Sequence, residues 1–168
     1  MLDDVTFMKE ALKEAQEAFQ AGEVPIGAVL VDAAGTVVAR AHNMRETWHD
    51  GTAHAEIIAL QEAAKKLGRW RLSGLTLYVT IEPCPMCAGA LVMSRVDRVV
   101  YGATDAKAGA CESLFNIVRH PALNHQLEMR AGVLEDECRA IMKRFFRQRR
   151  KKSSALKKCA NQAFDAPE

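Results

Sequence analysis

Thr52-Ala53-His54-Ala55-Glu56 and Ile81-Glu82-Pro83-Cys84-Pro85-Met86-Cys87 are the two stretches on which this sequence turns. The first opens a run with Ile57, Leu60, Ala64 and Leu67 on one side and Gly68 as a stop, a helical pattern over Thr52–Gly68. The second follows Leu75–Ile81, a strand rich in β-branched and aromatic residues, and opens a second helix from Pro83 through Met93. Helix, strand and helix in succession predict an α/β fold.

The same stretches carry chemistry. They supply a histidine and a Cys-x-x-Cys pair, the ligand types zinc prefers. Both lie at helix starts, where first-turn N–H groups and the dipole favour thiolates, the metal-binding form of cysteine. Cys84 and Cys87 are three apart, so both sulfurs face one way. Three ligands, His54, Cys84 and Cys87, leave one corner of a tetrahedron for water, the arrangement of a catalytic zinc. Glu56 need not bind the metal and can shuttle protons between that water and a substrate nitrogen. Either fact alone is weak evidence; His-Ala-Glu and Pro-Cys-x-x-Cys at successive helix starts form the signature of zinc deaminases that act on bases. The competing reading is a structural site closed by Cys111 or His49.

The 168 residues suit one domain with its own core. At 49% hydrophobic and 26% charged, the composition is ordinary for a globular chain, and no apolar run is long enough to span a membrane. The acidic start, Met1-Leu2-Asp3-Asp4, lacks the features of a secretory signal, so cytoplasm is the expected compartment. Five cysteines, an odd number, argue against a disulfide framework. Cys138 falls on an apolar helical stripe and Cys159 in a tail.

A net charge of +2 conceals an asymmetry. Ten Lys and Arg, with no acid, lie between Arg139 and Lys158, which leaves 13 basic against 21 acidic residues elsewhere. Such a block suits a polyanionic partner or, equally, a solvated tail.

Outward from the motifs, Phe7, Met8, Ala11, Leu12, Ala15, Ala18 and Phe19 predict a first helix, ended by Gly22. Ile26–Val31 and Thr36–Ala41, joined by Asp32-Ala33-Ala34-Gly35, predict a hairpin, and Asn43 follows it as either a site residue or a turn former. Arg98–Tyr101 reads as a strand, Gly102–Gly109 as a loop, Glu112–Val118 as a short helix and Gln126–Arg130 as a weak strand. A last helix runs from Leu134 to about Lys152. The sum is a three-layer α/β/α sandwich on a five-stranded mixed sheet. Residues 1–152 form the zinc-dependent domain and residues 153–168 a basic, disordered tail.

On these motifs the sequence resembles the cytidine deaminase superfamily, and within it the bacterial tRNA-specific adenosine deaminases. Glu23-Val24-Pro25-Ile26-Gly27-Ala28, Ala41-His42-Asn43, Arg98-Val99-Val100-Tyr101-Gly102-Ala103, Asn124-His125 and Phe145-Phe146-Arg147 extend the resemblance over residues 5 to 150. It implies conversion of adenosine to inosine at the wobble position of a tRNA anticodon, with one zinc ion per subunit and Glu56 as the catalytic acid–base. It implies that Asn43, Pro25, Ile26 and Ala55 bind the base and ribose. Asp105, Lys107, Asn124, Phe145, Phe146, Arg147 and Arg149 would hold the splayed anticodon stem-loop nucleotides. A homodimer, with the Cys87–Arg95 helix near the partner, is implied too. The sequence departs from the family at Glu112, where a small residue usually precedes Ser113. Two readings compete with this one: a free nucleobase or nucleoside (cytosine or guanine) deaminase, and a zinc-stabilised RNA-binding module without catalysis.

Overall fold

A computed structural model describes the backbone of residues 2–164 and the side chains of residues 2–157. Five strands form one sheet in the order β2-β1-β3-β4-β5. The hairpin of β1 (Gly27–Asp32) and β2 (Val37–His42) lies at one edge, and Asp32 holds its turn by accepting from the N–H groups of Ala34 and Thr36. β1 pairs antiparallel with β3 (Leu75–Ile81). β3 pairs in parallel with β4 (Arg98–Ala103), and β4 with β5 (Glu128–Arg130). The sheet is therefore mixed, as expected. β3 is buried along its whole length, which fits a central strand covered on both faces.

Helices cover both faces. α1 (Asp4–Gln20) places Met8 and Ala11 against Val29, Tyr78 and Val100, and Cys138 of α5 (Glu135–Phe164) joins them. Gly27 lets β1 pass close beneath α1, since a Cβ there would lie 2.0 Å from the Ala11 carbonyl oxygen. On the opposite face α3 (Ala55–Leu67) and α4 (Pro85–Met93) set Ala59, Leu60, Ala88 and Leu91 against Leu30, Leu77 and Val79. The fold is the three-layer sandwich with a five-stranded mixed sheet. Among the described residues no helix is long and apolar enough to cross a membrane.

Four local differences from the sequence reading have physical causes. α4 begins at Pro85 rather than Pro83, because a residue before proline is pushed out of helical space, and Cys84 sits extended at φ −72° and ψ 172°. No helix forms over Glu112–Val118; the N–H groups of Cys111, Glu112 and Ser113 turn to the Glu82 carboxylate instead. One unanticipated helical turn, α2 (Arg45–Trp48), links the hairpin to the first motif. Finally, α5 continues without a break to Phe164, past the boundary expected at 152, since Ser153–Lys158 contains neither Gly nor Pro to stop it. Residues 165–168 of the expected tail, and the side chain of Cys159, lie outside the described residues.

Candidate active site

His54 and Cys84 are the N-cap residues of α3 and α4, both in extended backbone with no side-chain capping bond. Their side chains are thereby free to meet between the helices. The Cys84 sulfur lies 3.6 Å and the Cys87 sulfur 3.5 Å from His54 Nδ1. One nitrogen and two sulfurs converge within 4.8 Å of one another, a group that could hold a metal ion. Among the described residues no fourth His, Cys, Asp or Glu joins them. Cys111, the closing ligand of the structural reading, is a buried core thiol whose pKa burial pushes up.

Charge is arranged around this group. The neighbouring Cys87 and His54 bring the Cys84 pKa down to about 4 against the opposing effect of burial. Cys84 and burial in turn push Cys87 up. A bound cation favours loss of the thiol proton. Contact with Cys84 raises His54, helped by Glu56 and opposed by burial.

Glu56, in the first turn of α3, is 4% exposed, and its Oε2 has no hydrogen-bond partner among the described residues. Burial raises its pKa, as does the Cys84 charge, while His54 acts against them. A buried carboxylate oxygen left unpaired is costly unless a ligand or water completes it. The spacing of two between His54 and Glu56 works because His54 stands just outside the helix and Glu56 just inside it.

Asn43 follows β2 and is 4% exposed. Its Nδ2 donates to the Val24 carbonyl at 3.4 Å and its Oδ1 accepts from the Arg45 N–H at 3.3 Å. Pro25 and Ala55 are buried and Ile26 half-buried. Asp105 is also half-buried, and its Oδ1 accepts from the N–H groups of Lys107 and Ala108. Lys107 is exposed and shares a groove of about 550 Å³ with Arg139, Met142, Lys143, Phe146, Arg147 and Arg150 of α5. Asn124 is exposed in the segment before β5.

The four remaining RNA candidates divide. Phe146 and Arg147 face the groove beside Lys107. Phe145 is 7% exposed and packed edge-on to Phe19 with centroids 5.7 Å apart, and it lines the groove that Arg149 also borders. Arg149 points away from Arg147, into a second groove with Phe19, Glu46 and Lys152. Glu112, the departure from the family, accepts from the Tyr101 hydroxyl at 2.5 Å.

One residue of the second motif escaped the sequence reading. Glu82 is 3% exposed and receives bonds from four backbone N–H groups and the Ser113 hydroxyl. No sequence signal marks it, since an acid at the end of a strand looks like any solvated charge until its partners, up to 31 residues away, are in place.

Comparison with known proteins accords with this geometry. The family model of the MafB19-like deaminases matches residues 2–150. A tRNA-specific adenosine deaminase of Bacillus subtilis is 55% identical over 158 residues, 94% of this chain and 98% of the relative. A solved structure from work on A-to-I editing by tRNA:A34 deaminases at the wobble position is 46% identical, with a TM-score of 0.78 over 81% of this chain and 98% of that one. A guanine deaminase from Bacillus subtilis is 36% identical, with a TM-score of 0.59 over 76% of this chain and 83% of its own. With its sequence matched nearly end to end by such a relative, the chain belongs to the MafB19-like deaminase family, among its tRNA-specific adenosine deaminases.

Proposed function

We propose that this chain is a zinc-dependent hydrolase that converts adenosine to inosine at the wobble position of a tRNA anticodon. The observation that carries the proposal is the partner-free Glu56 Oε2 buried beside three convergent metal donors. One imidazole and two thiolates suit zinc, and an open fourth corner suits a catalytic role. Zinc held by His54, Cys84 and Cys87 would supply a Lewis acid that brings the pKa of water near neutrality.

The chain's own residues would then bind and move protons. Glu56 takes a proton from the attacking water and delivers it to the ring nitrogen next to C6. The water oxygen bonds to C6. Glu56 passes the second proton to the exocyclic amine, the C6–N bond breaks, and ammonia leaves. Adenosine and water become inosine and ammonia. The raised pKa of Glu56 suits a group that must both accept and return a proton.

Asn43, Pro25, Ile26 and Ala55 would border the base and ribose. Asp105, Lys107 and Asn124 would meet neighbouring nucleotides, with Phe146 as stacking platform and Arg147 and Arg149 on phosphates. Phe145 serves by holding α5 in place. The chain would act as a homodimer; an α4 rich in apolar residues that leaves Met93 69% exposed supports that reading. A tRNA substrate supports a cytoplasmic location for the enzyme.

The test is metal-loaded protein with an anticodon stem-loop carrying wobble adenosine, beside free adenosine, guanine and cytosine. Inosine at the wobble position is the expected product. Turnover of guanine or cytosine with an unchanged stem-loop would make the enzyme a free-base deaminase instead.

A further inference from the structure

The Glu82 carboxylate lies at the junction of two working parts. Two residues after it in the chain, Cys84 begins the metal-donor helix α4. Across space it faces the segment from Asp105 to Ser113. Its Oε1 accepts from the N–H groups of Cys111 at 3.1 Å, Glu112 at 2.8 Å and Ser113 at 2.9 Å. Its Oε2 accepts from the Asp105 N–H at 3.0 Å and from the Ser113 hydroxyl.

The backbone on either side is tied in as well. The Glu82 N–H donates to the Ala103 carbonyl at 2.8 Å, and the Ala110 N–H to the Pro83 carbonyl at 2.8 Å. Gly109 fits only because it has no side chain: a Cβ there would lie 2.3 Å from Glu82 Oε2 and 2.5 Å from the Asp105 carbonyl oxygen. The segment has no regular secondary structure of its own, so its shape comes largely from these bonds. It carries Asp105 and Lys107, and Lys107 forms one wall of the basic groove opposite α5.

We propose that Glu82 is a positioning residue, which fixes the Asp105–Lys107 loop relative to the Cys84 end of the site so that RNA held by the loop meets the reacting centre. The inference rests on the RNA-editing reading above. Glu82 touches neither substrate nor metal in this account; it acts through Lys107 and Asp105. An ionised carboxylate suits the task because it only accepts, and all five groups facing it donate. In Glu82→Gln, whichever end becomes the NH₂ confronts at least one backbone N–H with no acceptor. The loop must then shift, and displacement of about 1 Å can cost roughly 100-fold in a reaction that depends on orientation.

The experiment is a double-mutant cycle with Glu82→Gln, Lys107→Ala and the double variant, each purified with its metal. KM and kcat on the anticodon stem-loop, metal content and melting temperature are measured. Glu82→Gln is expected to raise KM about tenfold or more at unchanged metal content, and the Lys107→Ala penalty is expected to shrink in its presence, because a displaced loop has already lost that contact. Ser113→Ala, a milder cut in the same network, should shift KM in the same direction. Additive penalties, loss of metal in Glu82→Gln, or a lower melting temperature with unchanged KM would each overturn the proposal. An inactive wild type would instead refute the RNA-editing reading, so the two failures are distinguishable.

Discussion

Phe145 and Phe146 meet edge to face, with ring centroids 5.4 Å apart and planes at 81°, yet one is 7% exposed and the other 38%. Neighbours in the chain, they point about 100° apart around α5, one inward to Phe19 and one toward the basic groove. Phe145→Ala should therefore lower stability by about 3 kcal/mol, as buried Phe truncations do, read from the urea midpoint. Phe146→Ala should leave that midpoint in place and weaken stem-loop binding by roughly 1–3 kcal/mol, the usual worth of a stacking platform. An unchanged dissociation constant for Phe146→Ala would remove it from the RNA surface.

Much of this was legible in the sequence for reasons that can be named. The candidate metal donors His54, Cys84 and Cys87 sit at helix starts, where a proline or a stop-and-start pattern marks the boundary, so the sequence alone places them together. Phe145 was harder, since two adjacent aromatics on a helix flank the same apolar stripe, and only the position of Phe19 decides which is covered. Glu82 and Asp4 were out of reach. Their partners lie up to 31 and 126 residues away, and an acid near a helix or strand end looks like any solvated charge until those partners arrive.

Glu56→Gln separates catalysis from binding. The amide keeps the size of the side chain but cannot carry a proton between water and leaving group. Turnover on the stem-loop should fall by ~10²–10⁴ or more, while metal content and stem-loop affinity stay near wild type. Residual activity within a few-fold of wild type would require a different acid–base.

The groove beside Lys107 predicts a salt signature. Arg139, Lys143, Arg147 and Arg150 line it from one face of α5. Each one that neutralises a phosphate should contribute about 0.7 to the slope of log K against log salt on single-stranded loop RNA. Alanine at one of these positions should flatten the slope by that amount, without a change in the melting temperature. A slope unaltered across all four variants would place the RNA elsewhere.

Asp4 gives the pH prediction. At 5% exposure it accepts from the Tyr78 hydroxyl at 2.8 Å, from Arg98 at 2.7 and 3.0 Å, and from Arg130 at 2.5 Å, so it pins the start of α1 to β3, β4 and β5. Burial raises its pKa, but bonds from Arg98, Tyr78 and Arg130 outweigh that and hold the carboxyl below its ordinary 3.8. A depressed folded pKa means the stabilisation is fully present above the unfolded value of about 3.9 and is lost as pH falls through the folded one. Asp4→Asn should cost about 1.5–3 kcal/mol at pH 7, the usual worth of hydrogen bonds to a charged group, since Arg98 and Arg130 keep access to solvent. The difference from wild type should narrow below about pH 4, as the wild-type carboxyl itself takes up a proton. Urea midpoints of both proteins from pH 7 to pH 3 measure this, with acid release of any bound metal affecting both alike. A gap that stays constant across that range would mean Asp4 acts through shape and not through charge.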